Sequence, residues 1–348
     1  MVDARTGWAL GTHTVWRTAD GGKTWMQIVP PSGFTFSAAA FANGDTVWLG
    51  RLAPNGAVSI SQSTDAGHHW RMTVVPKVVP FGAAVNGLPL GFTVFDSHRA
   101  WLGVSWGSMH ANLVTLLRTD DGIHWSIAAT NPPISGVLGF RTADDGWAGD
   151  VHAGAALLAP SHPDVNHPGL LYVTPDGGRT WHFQPLPIPT GYDGAVLAVP
   201  ADAPTFSSRD QGIFPVFLGQ DKTAAHAQSA LEVYRTSDGG HTWTTTPPLS
   251  LGTKHFSPGV ATFVDGRDGW TVVGKTLAVT RDGGAQWSSF VPRGLRVDAN
   301  GYDLRTLDFV SPTRGWALIV PPRHPENAAL LETRDGGQTW TRLHPTTS

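Results

Sequence analysis

The sequence predicts an all-β chain folded as a seven-bladed β-propeller with one tight turn of fixed composition per blade, and three observations predict it. Seven segments carry an Asp, a Gly two residues later and a Trp five residues later, starting at Asp20, Asp65, Asp120, Asp176, Asp238, Asp282 and Asp335. The Asp-to-Asp intervals of 45, 55, 56, 62, 44 and 53 residues suit a four-stranded unit and exceed most helical repeats. An apolar stretch precedes each turn, marked by Trp8, Trp48, Trp101, Trp147, Trp270 and Trp316, with Phe214 in that slot of the fifth copy.

Each unit reads as four strands, a to d. Phe41, Phe95, Phe140, Phe206, Phe263 and Phe309 stand six to eight residues before the Trp slot and mark strand a. The slot itself marks strand b, the run before the turn is strand c, and the Trp closing the turn opens strand d. Blades are expected over residues 1–30, 31–75, 88–130, 135–186, 203–247, 258–291 and 302–345. In the turn, Asp can accept hydrogen bonds from the amides that follow, Gly permits positive φ, and the Trp covers the hairpin. Six copies add Ser or Thr two residues before the Asp, and the third has Arg118 there. Counting back from Trp8 to the Phe position reaches Met1, so strand a of the first unit is expected to be incomplete, with the natural polypeptide extending upstream.

These Asp-x-Gly-x-x-Trp turns resemble the Asp-box, or bacterial neuraminidase repeat, of sialidases, xyloglucan hydrolases and the photosystem II stability/assembly factor family, the last being the nearest branch. The resemblance implies that the seven Asp are structural and lie away from the functional face. It also implies an extracytoplasmic location, with a signal or lipid anchor in the upstream segment.

Composition narrows the function. The 348 residues hold 24 Lys and Arg against 27 Asp and Glu, a formal net charge of -3, which argues against a nucleic-acid partner. The chain has no cysteine, so disulfide frameworks and thiolate metal sites are excluded. No metal or other cofactor is expected, and no apolar run reaches membrane-spanning length.

An enzyme reading follows from the resemblance alone. A sialidase-like site needs a Tyr nucleophile with a Glu partner and an Arg triad, and among three Glu and four Tyr only Glu232 and Tyr234 are close in sequence. Tyr234 occupies the slot of Trp16 and Tyr172 in other repeats, which favours a core role. A xyloglucanase-like site needs two Asp facing each other across two propellers, with Asp298, Asp303 and Asp308 as channel candidates.

The favoured reading is a non-catalytic binding or assembly scaffold for a protein or peptide, with carbohydrate as a further possible partner and a glycoside hydrolase as the alternative. Long b–c connections are expected at 105–112, 149–169, 219–230 and 321–328, and insertions on one face of a repeat array mark a binding face. His13, His110, His152, His162, His167, His226 and His324 fall in b–c connections, where His could bind an anion or metal or respond to pH. Trp106 stands outside the repeated Trp slots, and Arg293, Arg296 and Arg305 gather in the last d–a connection.

Overall fold

A computed structural model describes residues 1–11, 14–31, 35–79, 89–108, 111–133, 136–149, 169–192, 197–220, 228–252, 259–296, 304–321 and 327–347. The protein is an all-β seven-bladed β-propeller, and its strands form seven sheets in chain order. The regular pattern is plain in blade 6, where Ala261–Phe263, Gly269–Val273, Thr276–Thr280 and Ser288–Phe290 pair antiparallel as a, b, c and d. Blade 2 (Ala38–Phe41, Val47–Leu52, Val58–Ser63, Arg71–Val75) and blade 7 (Leu304–Phe309, Gly315–Ile319, Ala329–Thr333, Thr341–Arg342) follow it. In blade 5, strand a is split into Leu197–Pro200 and Thr205–Phe206, and strand d lies at Leu249–Gly252, so the sheet is wider than the expected 203–247. Blade 1 holds Gly7–Leu10, Val15–Thr18 and Thr24–Ile28, strands b to d, and no strand a among the described residues.

Two compact units are distinguished within the chain. One comprises Val2–Ala148, Tyr172–His182 and Thr346–Ser348; the other comprises Met1, Gly149–Leu171 and Phe183–Pro345. In the first, Thr346–Thr347 pairs parallel with Thr24–Trp25. In the second, Arg293 bridges Thr339 in parallel. Arg293 and Thr346 each stand six residues after their own turn Trp, and each partner stands four residues after its turn Asp. One rule of the repeat thus places both segments.

The Phe and Gly-Trp markers turn out to be one device. Phe140 pairs with Gly146 and Phe309 with Gly315 in register, and a Cβ on either glycine would lie 2.5–2.6 Å from the ring. The opposite ring face stacks on the strand b Trp of the preceding blade: Trp101 on Phe140 at 3.5 Å and Trp270 on Phe309 at 3.7 Å, nearly parallel. Those indoles also donate to turn carbonyls of the following blade, Gly177 and Gly336, at 2.9 Å. Each such Trp therefore fastens one blade to the next through area, stacking and a satisfied polar tip.

Two expected slots shift. Phe206 pairs with Gly212, so the residue in the fifth Trp slot is Ile213, paired with Arg235, and not Phe214. In blade 3 (Pro89–Val94, Ala100–Ser108, Ala111–Thr119, Trp125–Thr130) it is Val94 that faces Ala100, while Phe95 lies exposed beneath Arg99.

The turns satisfy their own backbone. Asp20 Oδ1 accepts the amides of Lys23 and Thr24 at 3.0 and 2.9 Å, Oδ2 accepts the Thr24 hydroxyl at 2.7 Å, and Thr18 Oγ1 accepts the Gly22 amide at 2.9 Å. Burial would raise the Asp20 carboxyl, but the Thr24, Thr18 and Lys23 donors outweigh it and hold it at about 2. The same pattern recurs at Asp176, Asp238 and Asp335. Glycine is required twice over at the second turn position: φ is +97° at Gly337, and a Cβ there would press on Leu277 of the preceding blade at 2.5 Å.

Asp120 is a correction. The third turn is one residue shorter, so Asp121 accepts the Ile123 and His124 amides, at 2.8 and 2.7 Å, and Thr119 supplies the hydroxyl that accepts Gly122 N–H at 2.9 Å. Asp120 is displaced to an ion pair with the buried Arg118, 2.6 Å away. Two adjacent Asp in the sequence hid which one the hairpin uses.

Candidate binding groove

Trp106 is the sequence-predicted residue with the clearest setting, and it is a strand residue. Strands b and c of blade 3 run on to Ser108 and Ala111, so Trp106 pairs with Leu113 instead of standing in a long loop. Its indole N–H donates to Thr115 Oγ1 at 3.0 Å, and Thr115 donates to the Val78 carbonyl at 3.1 Å. With its polar tip engaged internally, the partly exposed ring presents only apolar surface.

That surface forms part of a groove of about 720 Å³, whose other lining includes Ala57, Val78, Val79 and Ile127, with Asn55 and Lys77 also present. The groove stands on a fixed clamp. Val78 and Val79 both donate to the Gly56 carbonyl, at 2.9 and 3.2 Å, and Gly56 has φ +79° with no room for a Cβ beneath Val79. Val78 and Val79 are buried in the core cluster, while Ile127 is 46 % exposed on strand d. The arrangement is a preformed apolar trough, suited to a hydrophobic side chain.

The remaining candidates divide. His13, His110, His152, His162, His167, His226 and His324 lie outside the described residues, as do Asp298 and Asp303. Among the described residues no cluster of three metal-ligating side chains occurs. Arg293 is exposed, and its backbone accepts from Trp340 N–H at 2.8 Å and donates to the Gln338 carbonyl at 2.9 Å, so its position serves the sheet. Arg296 and Arg305 are exposed, the former following buried Leu295 and the latter on strand a of blade 7. Asp308 pairs with the Met1 amino group.

The Glu232–Tyr234 pair does not make a nucleophile and its partner. Both residues are fully buried on strand c of blade 5 (Gln228–Thr236). Tyr234 donates its hydroxyl to the Pro187 carbonyl at 3.1 Å, and burial followed by the nearby Glu232 pushes the phenol up. Glu232 Oε1 accepts the Thr246 amide at 2.7 Å and the Thr246 hydroxyl at 3.3 Å, while Oε2 has no hydrogen-bond partner among the described residues. Burial pushes this carboxyl up to about 7 against the opposing pull of those two bonds. Sequence proximity found the pair, but only packing reveals that the carboxyl is turned to Thr246 in its own blade and the phenol to Pro187 in the connection that precedes the blade.

No protein-family model and no curated protein matches this chain. Its structure is similar to a GH74 xyloglucanase from Xanthomonas campestris, with 14 % identity and a TM-score of 0.36 over 97 % of this chain and 66 % of that one. It is also similar to a protein of unknown function from Dyadobacter fermentans, with 14 % identity and a TM-score of 0.48 over 75 % and 82 % of the two chains. A third similarity is to the NanB sialidase from Streptococcus pneumoniae, with 12 % identity and a TM-score of 0.38 over 95 % and 82 %. The chain spans slightly under two thirds of the xyloglucanase's length. At these identities the likeness concerns the propeller fold, which hosts many functions.

Proposed function

We propose that this propeller is a non-catalytic binding module, an assembly scaffold of the photosystem II assembly-factor type acting outside the cytoplasm, that holds an apolar segment of a protein or peptide. The observation that carries the reading is the Trp106 groove: an aromatic ring with its N–H already satisfied, beside Val78, Val79 and exposed Ile127, on a rigid strand pair. Such surfaces bind apolar side chains by excluding water, and the ring needs no reorganisation to do so. The Glu232 and Tyr234 environments support the same reading, because the carboxyl and phenol proposed for hydrolysis are committed to Thr246 and Pro187. Trp106→Ala and Ile127→Asp variants, probed with an immobilised array of hydrophobic peptides, are expected to lose binding that the parent shows while retaining its melting temperature. Binding of xylo- or sialo-oligosaccharides in place of peptides, lost in the same variants, would reassign the groove to carbohydrate.

A further inference from the structure

Blade 5 differs from its neighbours in how strand d is held. Arg235 bridges Thr244, and the regular c–d ladder resumes only at Leu231 opposite Leu249, with a register irregularity following between Ser229 and Ala230. The stretch skipped, Thr245 to Pro248, ends in Pro247 and Pro248, which have no N–H to give to a ladder. Glu232 occupies the gap from strand c, and its Oε1 takes both the amide and the hydroxyl of Thr246. A side-chain acceptor thus takes the Thr246 amide in the stretch where the interrupted ladder offers it no backbone carbonyl.

This substitute has a property that a backbone carbonyl lacks: it can gain or lose a proton. The carboxyl is fully buried and its second oxygen has no hydrogen-bond partner among the described residues, so burial favours the neutral acid over the carboxylate, against the pull of the two Thr246 donors on Oε1. The titratable groups beside it are Tyr192 and Tyr234, both pushed up by burial and then by Glu232, so both stay neutral across the physiological range and neither supplies a compensating charge. Val216, its cross-strand partner on strand b, is apolar and fully buried.

We propose that Glu232 is a protonation-dependent latch on blade 5: as the neutral acid it keeps the Thr245–Pro248 segment of the outer strand closed, and on ionisation that segment opens to admit water to Oε2. The segment is the element that yields because the c–d ladder lapses between Thr244 and Leu249, and opening it costs mainly the two Thr246 bonds. The latch shares no residue with the Trp106 groove and does not depend on what that groove holds.

Hydrogen exchange on the full chain tests it. After correction for intrinsic rates, protection of the Thr246 amide should fall at least about tenfold between pH 5.5 and pH 8.5, and Glu232→Gln should abolish that pH dependence while Leu231 and Val233 stay protected throughout. Equal protection of Thr246 at both pH values, or an unchanged pH dependence in Glu232→Gln, would overturn the latch. Should the Gln variant not fold, infrared titration of the parent decides the question, since the proposal requires a protonated carboxyl band persisting above pH 6 and its absence there refutes it.

Discussion

Blades 5 and 6 follow one another in a single compact unit and use the same repeat to different ends. Blade 6 is regular: its c–d ladder pairs Leu277, Ala278 and Val279 with Phe290, Ser289 and Ser288 without interruption, and Trp270 is fully buried between Phe309 and the Gly336 carbonyl. Blade 5 has Ile213 in the equivalent slot and a ladder broken around Pro247–Pro248, yet it keeps the turn chemistry of Asp238 intact. A repeat therefore tolerates the loss of an aromatic staple and of ladder bonds where a buried side chain, here Glu232, occupies the gap. What it retains in both blades is the turn.

Four measurements would break or sharpen this contrast. The largest effect is expected at the staple: Trp270→Ala should cost about 3–5 kcal/mol in urea denaturation, whereas Ile213→Ala in the blade that lacks the Trp should cost about 2–3 kcal/mol. Equal losses would mean that the two slots do the same work.

Next comes pH. Glu232 has a folded pKa raised to about 7 from an ordinary 4.5, so its stabilising share is complete below about pH 4.5 and is lost as pH rises through 7. The parent should lose about 3 kcal/mol across that window relative to Glu232→Gln, as read from paired melts. Parallel curves would show that the carboxyl is already ionised in the folded state.

At the shared turn, Asp238→Ala should cost about 1–3 kcal/mol by leaving the Thr242 amide and hydroxyl without their acceptor. A negligible change in melting would remove the turn from the list of features both blades need. The smallest effect concerns blade 2, whose first turn glycine is replaced by Ala66 at φ +61°. Ala66→Gly should stabilise by about 0.5–1 kcal/mol, because the relief of left-handed strain exceeds the entropy gained by the unfolded chain.

The third turn shows how much of this was legible in advance. Its Asp, Gly and Trp match the repeat, but Arg118 in the hydroxyl position was the sign that the frame had slipped, and Thr119 with Asp121 is the set the hairpin uses. Similarly, the eight-residue spacing from Phe206 to Phe214 signalled a missing staple: Phe206 keeps the usual six-residue spacing to Gly212, and Ile213 follows. Trp106 stands out in the sequence because it breaks the Trp pattern. Its groove was not readable, since Val78, Val79 and Ile127 come from other segments of the chain.

By itself the sequence determined the fold class, the seven-fold repeat, the strand order within each unit and the turn chemistry of every repeat but the third. These depend on residues within a few positions of one another, where alternation, glycine conformation and Asp or Thr capping act locally. The tertiary structure alone decided that the Phe of one blade stacks on the Trp of the blade before it, that Glu232 fills a gap beside Thr246, fourteen residues away, and that Trp106 faces an apolar trough. Those outcomes turn on which surfaces meet and how deeply a polar group is buried, and burial is a property of the assembled sheets that no single strand carries.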